Sequence, residues 1–480
     1  MGDPRDRLDA WLHAEVEPLP PPPGTFLRIR RRARRRKAGR AAMSAAGLVV
    51  VVAAAVAVPR VAAVLESHSP RPGHPVAAGP SPTVHPPTPS RGTGQETVTS
   101  PTPLPSATSS LSATGSSAPV PPNFQPTSVT FVGPHTGVVI GQAGTAGHCP
   151  IVAGDCTSLA GTSDYGASWY GVSAPVTSAP DGSQGVGQIR FLNTRDGWAF
   201  GPQLWVTHDG GAHWSQEQTR GLRVTDLETA GTRAFAIFAR CTGTGPDYAA
   251  RCSGVSLYSS VADSGTWQPV PGAAGLAPPT SDGATASASL VLTGGSGGTG
   301  FLLAPTGELL RGPLTGAAWT VADPVVPCLP GAAGADGQPT GALLAADAGR
   351  LDLVCASATS AAADTQAKSV FQSADGGAHW SPAGTAPAAG LAASVAIQAQ
   401  DNLIVLATDA GLYRSADGGR SWRRAQPSPG DAAAGQPGFS YVGMTSLTNG
   451  VALPADPGLH EVFITTDGGT AWQAHAVSSP

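Results

Sequence analysis

The sequence predicts an all-β fold, a seven-bladed β-propeller preceded by one transmembrane helix and an extended stalk. Three observations predict it. An eight-residue turn pattern ending in tryptophan recurs through the second two thirds of the chain. An apolar, charge-free segment follows a run of arginines near the start. A Pro/Ser/Thr-rich stretch joins the two. Composition agrees: among 480 residues, Gly (62) and Pro (46) are abundant and only 12% are charged, which suits turn-rich β structure plus an unfolded linker.

The repeat carries most of the weight. Five segments obey [S/T]-x-D-x-G-x-x-W: Thr162 to Trp169, Thr207 to Trp214, Ser373 to Trp380, Ser415 to Trp422 and Thr465 to Trp472. Their fixed positions are Asp164, Gly166 and Trp169; Asp209, Gly211 and Trp214; Asp375, Gly377 and Trp380; Asp417, Gly419 and Trp422; and Asp467, Gly469 and Trp472. Two worn copies fill the gap: Asp263 to Trp267 is one residue short, and Thr315 to Trp319 has lost the aspartate. The seven tryptophans are spaced 42 to 61 residues apart, a length that suits one four-stranded blade each. Six or eight blades remain alternatives if a worn copy is spurious or another is hidden. In each turn the carboxylate can accept backbone N–H bonds, the Ser/Thr hydroxyl adds a local bond, and glycine permits positive φ. The tryptophan opens the returning strand and offers a large ring to the seam between blades.

A second pattern marks three first hairpins. An apolar residue precedes a glycine by six in Phe131/Gly137, Phe191/Gly197 and, more loosely, Met444/Gly450. Alternating runs such as Asn402 to Thr408 supply further strands. The propeller is expected over 123–480.

Residues 41–58 contain no charge, and as a helix at about 1.5 Å per residue they would just span a bilayer core. A transmembrane helix is therefore expected over 41–60, with residues 1–40 as a basic tail. That tail carries 11 Arg/Lys against 5 Asp/Glu, while the remainder is acidic. Positive residues stay cytoplasmic, so the propeller is expected outside the cell membrane. A cleaved signal peptide is the rival reading, but its n-region would be unusually long and organised, with Leu8, Trp11, Leu12 and Val16 at helical spacing. Residues 66–122 form the stalk, with fourteen prolines between Pro70 and Pro122. Such a segment cannot bury enough apolar surface to order itself.

The six cysteines fall in three neighbouring pairs, Cys149/Cys156, Cys241/Cys252 and Cys328/Cys355. None has C-x-x-C spacing, which argues against a zinc knuckle or a redox motif. Three local disulfides in an oxidising compartment are expected, although other pairings are possible.

The eight-residue pattern is that of the Asp box, or BNR repeat, and with the Gly197–Gly201 hairpin it most resembles photosystem II assembly-factor-like propellers. Sialidases, xyloglucan-cleaving hydrolases and sortilin-type receptors also carry the box. The resemblance implies a sialidase-like propeller fold and, through the assembly factors, a binding role. Sialidase chemistry would need three arginines, a tyrosine paired with a glutamate and an acid/base aspartate. The Arg-Ile-Pro signature of that family is missing, with Ser128 to Phe131 in its place. Arg190, Arg240 and Arg311 read as surface or strand-edge residues, and the glutamates are few: Glu217, Glu228, Glu308 and Glu461. No catalytic residue is assigned, and a sialidase-type glycoside hydrolase is the alternative. Each turn offers a single carboxylate, too few oxygens for calcium, and His213 and His379 read as strand residues, so neither a metal nor a cofactor is expected. The expected partner is a protein, a peptide or an envelope glycan, not a nucleic acid. The cysteine-bearing segments around Cys149–Cys156 and Cys241–Cys252 are the candidate contact elements.

Overall fold

The computed structural model describes residues 118–479 except 144–155, 178–184, 242–251, 277–287, 295–296, 324–325, 329–338, 358–364 and 430–437. The expected basic tail, membrane helix and nearly all of the stalk lie outside the described residues. Among the described residues no helix is long and apolar enough to cross a membrane.

Seven four-stranded antiparallel sheets follow one another along the chain. Blade 1 is β1 (Gln125–Phe131), β2 (Gly137–Ala143), β3 (Cys156–Thr162) and β4 (Tyr170–Val172). Blade 2 is β5 (Gln188–Phe191), β6 (Gly197–Phe200), β7 (Leu204–Thr207) and β8 (Ser215–Gln216). Blade 3 is β9 (Arg223–Ala230), β10 (Arg233–Cys241), β11 (Cys252–Val261) and β12 (Gln268–Pro269). Blade 4 is β13 (Ser289–Thr293), β14 (Thr299–Leu303), β15 (Leu309–Pro313) and β16 (Thr320–Asp323). Blade 5 is β17 (Pro339–Asp347), β18 (Arg350–Ser357), β19 (Lys368–Ser373) and β20 (Ser381–Ala386). Blade 6 is β21 (Ala392–Gln398), β22 (Leu403–Thr408), β23 (Gly411–Ser415) and β24 (Arg423–Pro427). Blade 7 is β25 (Phe439–Met444), β26 (Gly450–Pro454), β27 (Glu461–Thr465) and β28 (Gln473–Ala476). The count of seven settles the alternatives of six and eight, and both worn repeats are blades.

The core is seven apolar seams, each between two consecutive blades and each containing one repeat tryptophan. Trp214 lies in the seam of blades 1 and 2, Trp267 in that of 2 and 3, and Trp319 in that of 3 and 4. Trp380, Trp422 and Trp472 serve the next three seams, and Trp169 serves the closing seam of blades 7 and 1. The worn copies thus keep the ring and lose only turn polarity. Trp319 is 2% exposed, lying flat over Gly300 and Gly312, where any Cβ would overlap the indole. The hairpin pattern has the same cause. Phe131 faces Gly137 and Phe191 faces Gly197 across the strand pair, and each phenyl ring covers the glycine opposite. Met444 and Gly450 repeat the arrangement.

Among the described residues no strand is shared between the first and last blades, because every sheet is contiguous in sequence. Closure is made by side chains. Tyr165 occupies, at φ 61°, a turn position that is glycine in the other four intact copies. Its hydroxyl lies 3.2 Å from both Gly450 O and Thr465 O of blade 7. His460 Nδ1 lies 2.9 Å from Phe124 O, and Val120 N donates to Ser479 Oγ at 2.6 Å. Ala118 bridges to Gly171, so the incoming chain pairs with the outer edge of blade 1.

Trp319→Ala should destabilise the propeller by about 3–5 kcal/mol, the usual cost of emptying a buried aromatic site. Urea unfolding of the purified protein measures this, and a loss close to that of an exposed substitution would contradict the seam assignment.

Candidate functional site

The five intact turns are built alike. In the turn of blade 5, Ser373 Oγ donates to Asp375 Oδ1 (2.8 Å) and accepts from Gly377 N (2.9 Å), while Asp375 Oδ1 accepts from His379 N (2.9 Å). Asp417 repeats this with Ser415 and with the amide and hydroxyl of Ser421, which hold its carboxyl down to about 2. Asp164, Asp209 and Asp467 make the corresponding bonds. The second turn glycine is required by its surroundings. Gly377 has φ +87°, and a Cβ there would overlap Leu309 of the preceding blade. His213 and His379 each pair with the aspartate of their own turn, at 2.7 and 2.6 Å. The carboxylates are thus occupied within their own turns, and among the described residues no group of His, Cys, Asp and Glu is arranged to hold a metal.

Neighbouring turns are also linked. The residue just before the turn reaches the next blade's first turn glycine: Gln372 Nε2 to Gly418 O (3.1 Å), Arg414 Nε to Gly468 O (2.7 Å) and Arg311 Nη1 to Gly376 O (3.2 Å). This explains Arg311 as a structural residue.

The antiparallel meander sorts its connections onto two faces. First-to-second and third-to-fourth strand turns emerge on one face, and none of these exceeds seven residues. The other face receives the second-to-third and blade-to-blade connections, seven of which run from ten to nineteen residues. The five described cysteines, Cys156, Cys241, Cys252, Cys328 and Cys355, fall at this loop-bearing face. Cys328 and Cys355 are joined in a disulfide. Cys241 is disulfide-bonded and stands opposite Cys252 in the strand register. Cys149 lies outside the described residues.

The inner strands bring together a polar cluster. Arg190 on β5 donates through Nε to Glu228 Oε1 on β9 (2.9 Å), and its Nη2 reaches the same oxygen. Arg190 Nη1 donates to Ile189 O (2.8 Å) and lies 3.4 Å from Ser128 Oγ on β1. Its side chain is 14% exposed, so Arg190 is not a surface arginine; it is largely buried on β5, an edge strand of its sheet. Tyr441 on β25 belongs to the same electrostatic neighbourhood, and burial raises its phenol above the ordinary value. Asp226, two residues before Glu228, accepts from Leu290 N of blade 4 (3.0 Å) and from Leu227 N (2.9 Å). Burial and the adjacent Glu228 push its carboxyl up to about 7. Sequence reading missed Asp226 and Tyr441, since nothing local marks residues that meet only when the ring closes. Arg240 and Arg311 lie on the second and third strands of their blades, so the three arginines are not assembled.

Lys368, one of only two lysines in the chain, is 1% exposed. Its Nζ donates to Gly390 O (2.6 Å), Pro387 O (2.9 Å) and Gln366 O (3.0 Å). Burial pulls the ammonium down to about 8. The side chain is a strut under the connection from blade 5 to blade 6.

No known family pattern and no curated protein matches the sequence. Solved structures with partial similarity include three of low identity. YCF48 from Cyanidioschyzon merolae is 14% identical over 60% of this chain and 83% of its own, with TM-score 0.38. YCF48 solved bound to D1 peptide is 17% identical over 75% and 96%, with TM-score 0.39. The GH74 xyloglucanase from Xanthomonas campestris is 14% identical over 73% and 72%, with TM-score 0.28.

Asp226 holds its proton more tightly in the folded chain than in the unfolded one, where its pKa is about 4. The fold therefore loses stability as pH rises from that value through about 7. Asp226→Asn should remove this decline, read as urea midpoints across that range. An unchanged slope would contradict the assignment.

Proposed function

We propose that this chain is a membrane-anchored binding scaffold, with a cytoplasmic basic tail, one spanning helix over 41–60 and a stalk over 66–122. The propeller stands outside the membrane and captures a protein or peptide partner on its loop-bearing face. The observation that supports this most is the asymmetry of the two faces. Long connections and cysteines gather at one, and only short satisfied turns occupy the other. Loops on a rigid scaffold are where recognition residues concentrate, and disulfides limit the entropy that such loops lose on binding.

Replacing 144–155 and 242–251 with short Gly/Ser linkers should abolish partner capture in crosslinking of intact membranes, while the thermal unfolding midpoint stays close to that of the parent. Capture of the same partner by the replaced protein would refute the loop-face assignment. Protease treatment of intact cells should remove the propeller, and its survival would refute the topology.

One observation favours a second reading, a sialidase-type glycoside hydrolase. The Arg190–Glu228 pair lies beside Tyr441 and Asp226 on the inner strands. A single arginine supplies less anion recognition than three, and Glu228 is already engaged by it. The binding reading predicts no turnover of a fluorogenic sialoside. Turnover that Glu228→Gln abolishes would establish the hydrolase instead.

A further inference from the structure

Residues 123–480 carry 14 basic and 25 acidic residues, yet Arg414, Arg420, Arg423 and Arg424 fall within one eleven-residue stretch of blade 6. Arg420, Arg423 and Arg424 are exposed. None of the four is in an ion pair among the described residues. The nearest turn carboxylate, Asp417, is committed to Ser415 and Ser421, and Arg420 Nη1 donates to the Asp417 carbonyl instead (2.9 Å). Arg423 stands directly opposite Arg414 in the register of β23 and β24. Like charges so placed destabilise a strand pair, and burial together with Arg423 pulls the Arg414 guanidinium below its ordinary value.

Charges on an outer strand commonly guard a sheet edge against unwanted pairing. On other outer strands that task falls to single residues, Pro269 on β12, Asp323 on β16 and Pro382 on β20. Yet β4, β8, β12, β16, β20 and β28 contain no arginine or lysine. The positive charge belongs to one edge, and two adjacent arginines exceed the single Pro or Asp found on β12, β16 and β20.

We propose that the edge of β24, unpaired among the described residues, takes up an acidic peptide as an added strand. Neighbouring residues of a strand point to opposite sides of the sheet. Arg423 and Arg424 therefore flank an added strand on both faces, matching consecutive acidic residues of an extended partner. A flat anionic surface would meet only one of them. The fold already accepts a segment at such an edge, where Ala118 pairs with Gly171 of β4. Backbone hydrogen bonds supply the register and the arginines select for acid, the usual division of labour in strand addition. This surface is separate from the loop-bearing face and does not depend on its role.

The test is fluorescence anisotropy of the full-length chain in detergent with a labelled peptide of sequence Thr-Val-Glu-Glu-Val-Thr. Binding should weaken as salt rises, and Arg423→Glu with Arg424→Glu should weaken it by about tenfold or more. A peptide with proline in place of both valines keeps the charge, loses strand N–H groups and should not bind. Equal binding of the proline peptide or of polyphosphate would overturn the proposal in favour of a general anion surface. An unaffected charge-reversed variant, or chain self-association that the reversal abolishes, would also overturn it. Both arginines are exposed, and Arg423→Glu sets an opposite charge across from Arg414, so unfolding midpoints should not fall. If they fall, Arg423→Ala and Arg424→Ala, tested singly, carry the same prediction.

Discussion

The fold depends on one indole per seam. A β-sheet of four short strands cannot bury both faces alone, so each blade is stable only against its neighbours. The repeat tryptophan lies at the start of the fourth strand and enters the cluster shared with the preceding blade. The polar turn that precedes it has a narrower task, which is to fix where the ring points. That order of importance explains the worn repeats. Blade 4 has Gly312 and Leu314 where intact copies have Ser/Thr and Asp, yet Trp319 is among the most completely buried side chains.

The blade count and the turn positions were legible in the sequence because they rest on local spacing. The identity of the closing seam was not. Tyr165 looks like noise in a Gly-rich turn until blade 7 is beside it, when its hydroxyl finds two carbonyls. The central cluster was hidden for the same reason: Ser128, Arg190, Asp226, Glu228 and Tyr441 come from blades 1, 2, 3 and 7. Only ring geometry makes them neighbours. Lys368 is buried in a cage of backbone carbonyls that no side-chain pattern announces.

The two faces and the axis divide the labour of the molecule. Satisfied turns on one face lock blade to blade through Gln372, Arg311 and Arg414. The opposite face carries the longer connections. The inner strands are tied by the Arg190–Glu228 pair and by hydroxyls, such as Thr229 donating to Phe191 O of the neighbouring blade (3.2 Å). Their polarity therefore has a structural use whether or not a ligand reaches them.

A density map of the purified protein, viewed down the ring axis, tests the central claim most directly. It should show seven sheets, each contiguous in sequence, with the Tyr165 hydroxyl on the carbonyls of blade 7 and an indole in every seam. A strand exchanged between the first and last blades, a different number of sheets, or Trp267 and Trp319 turned to solvent would contradict it.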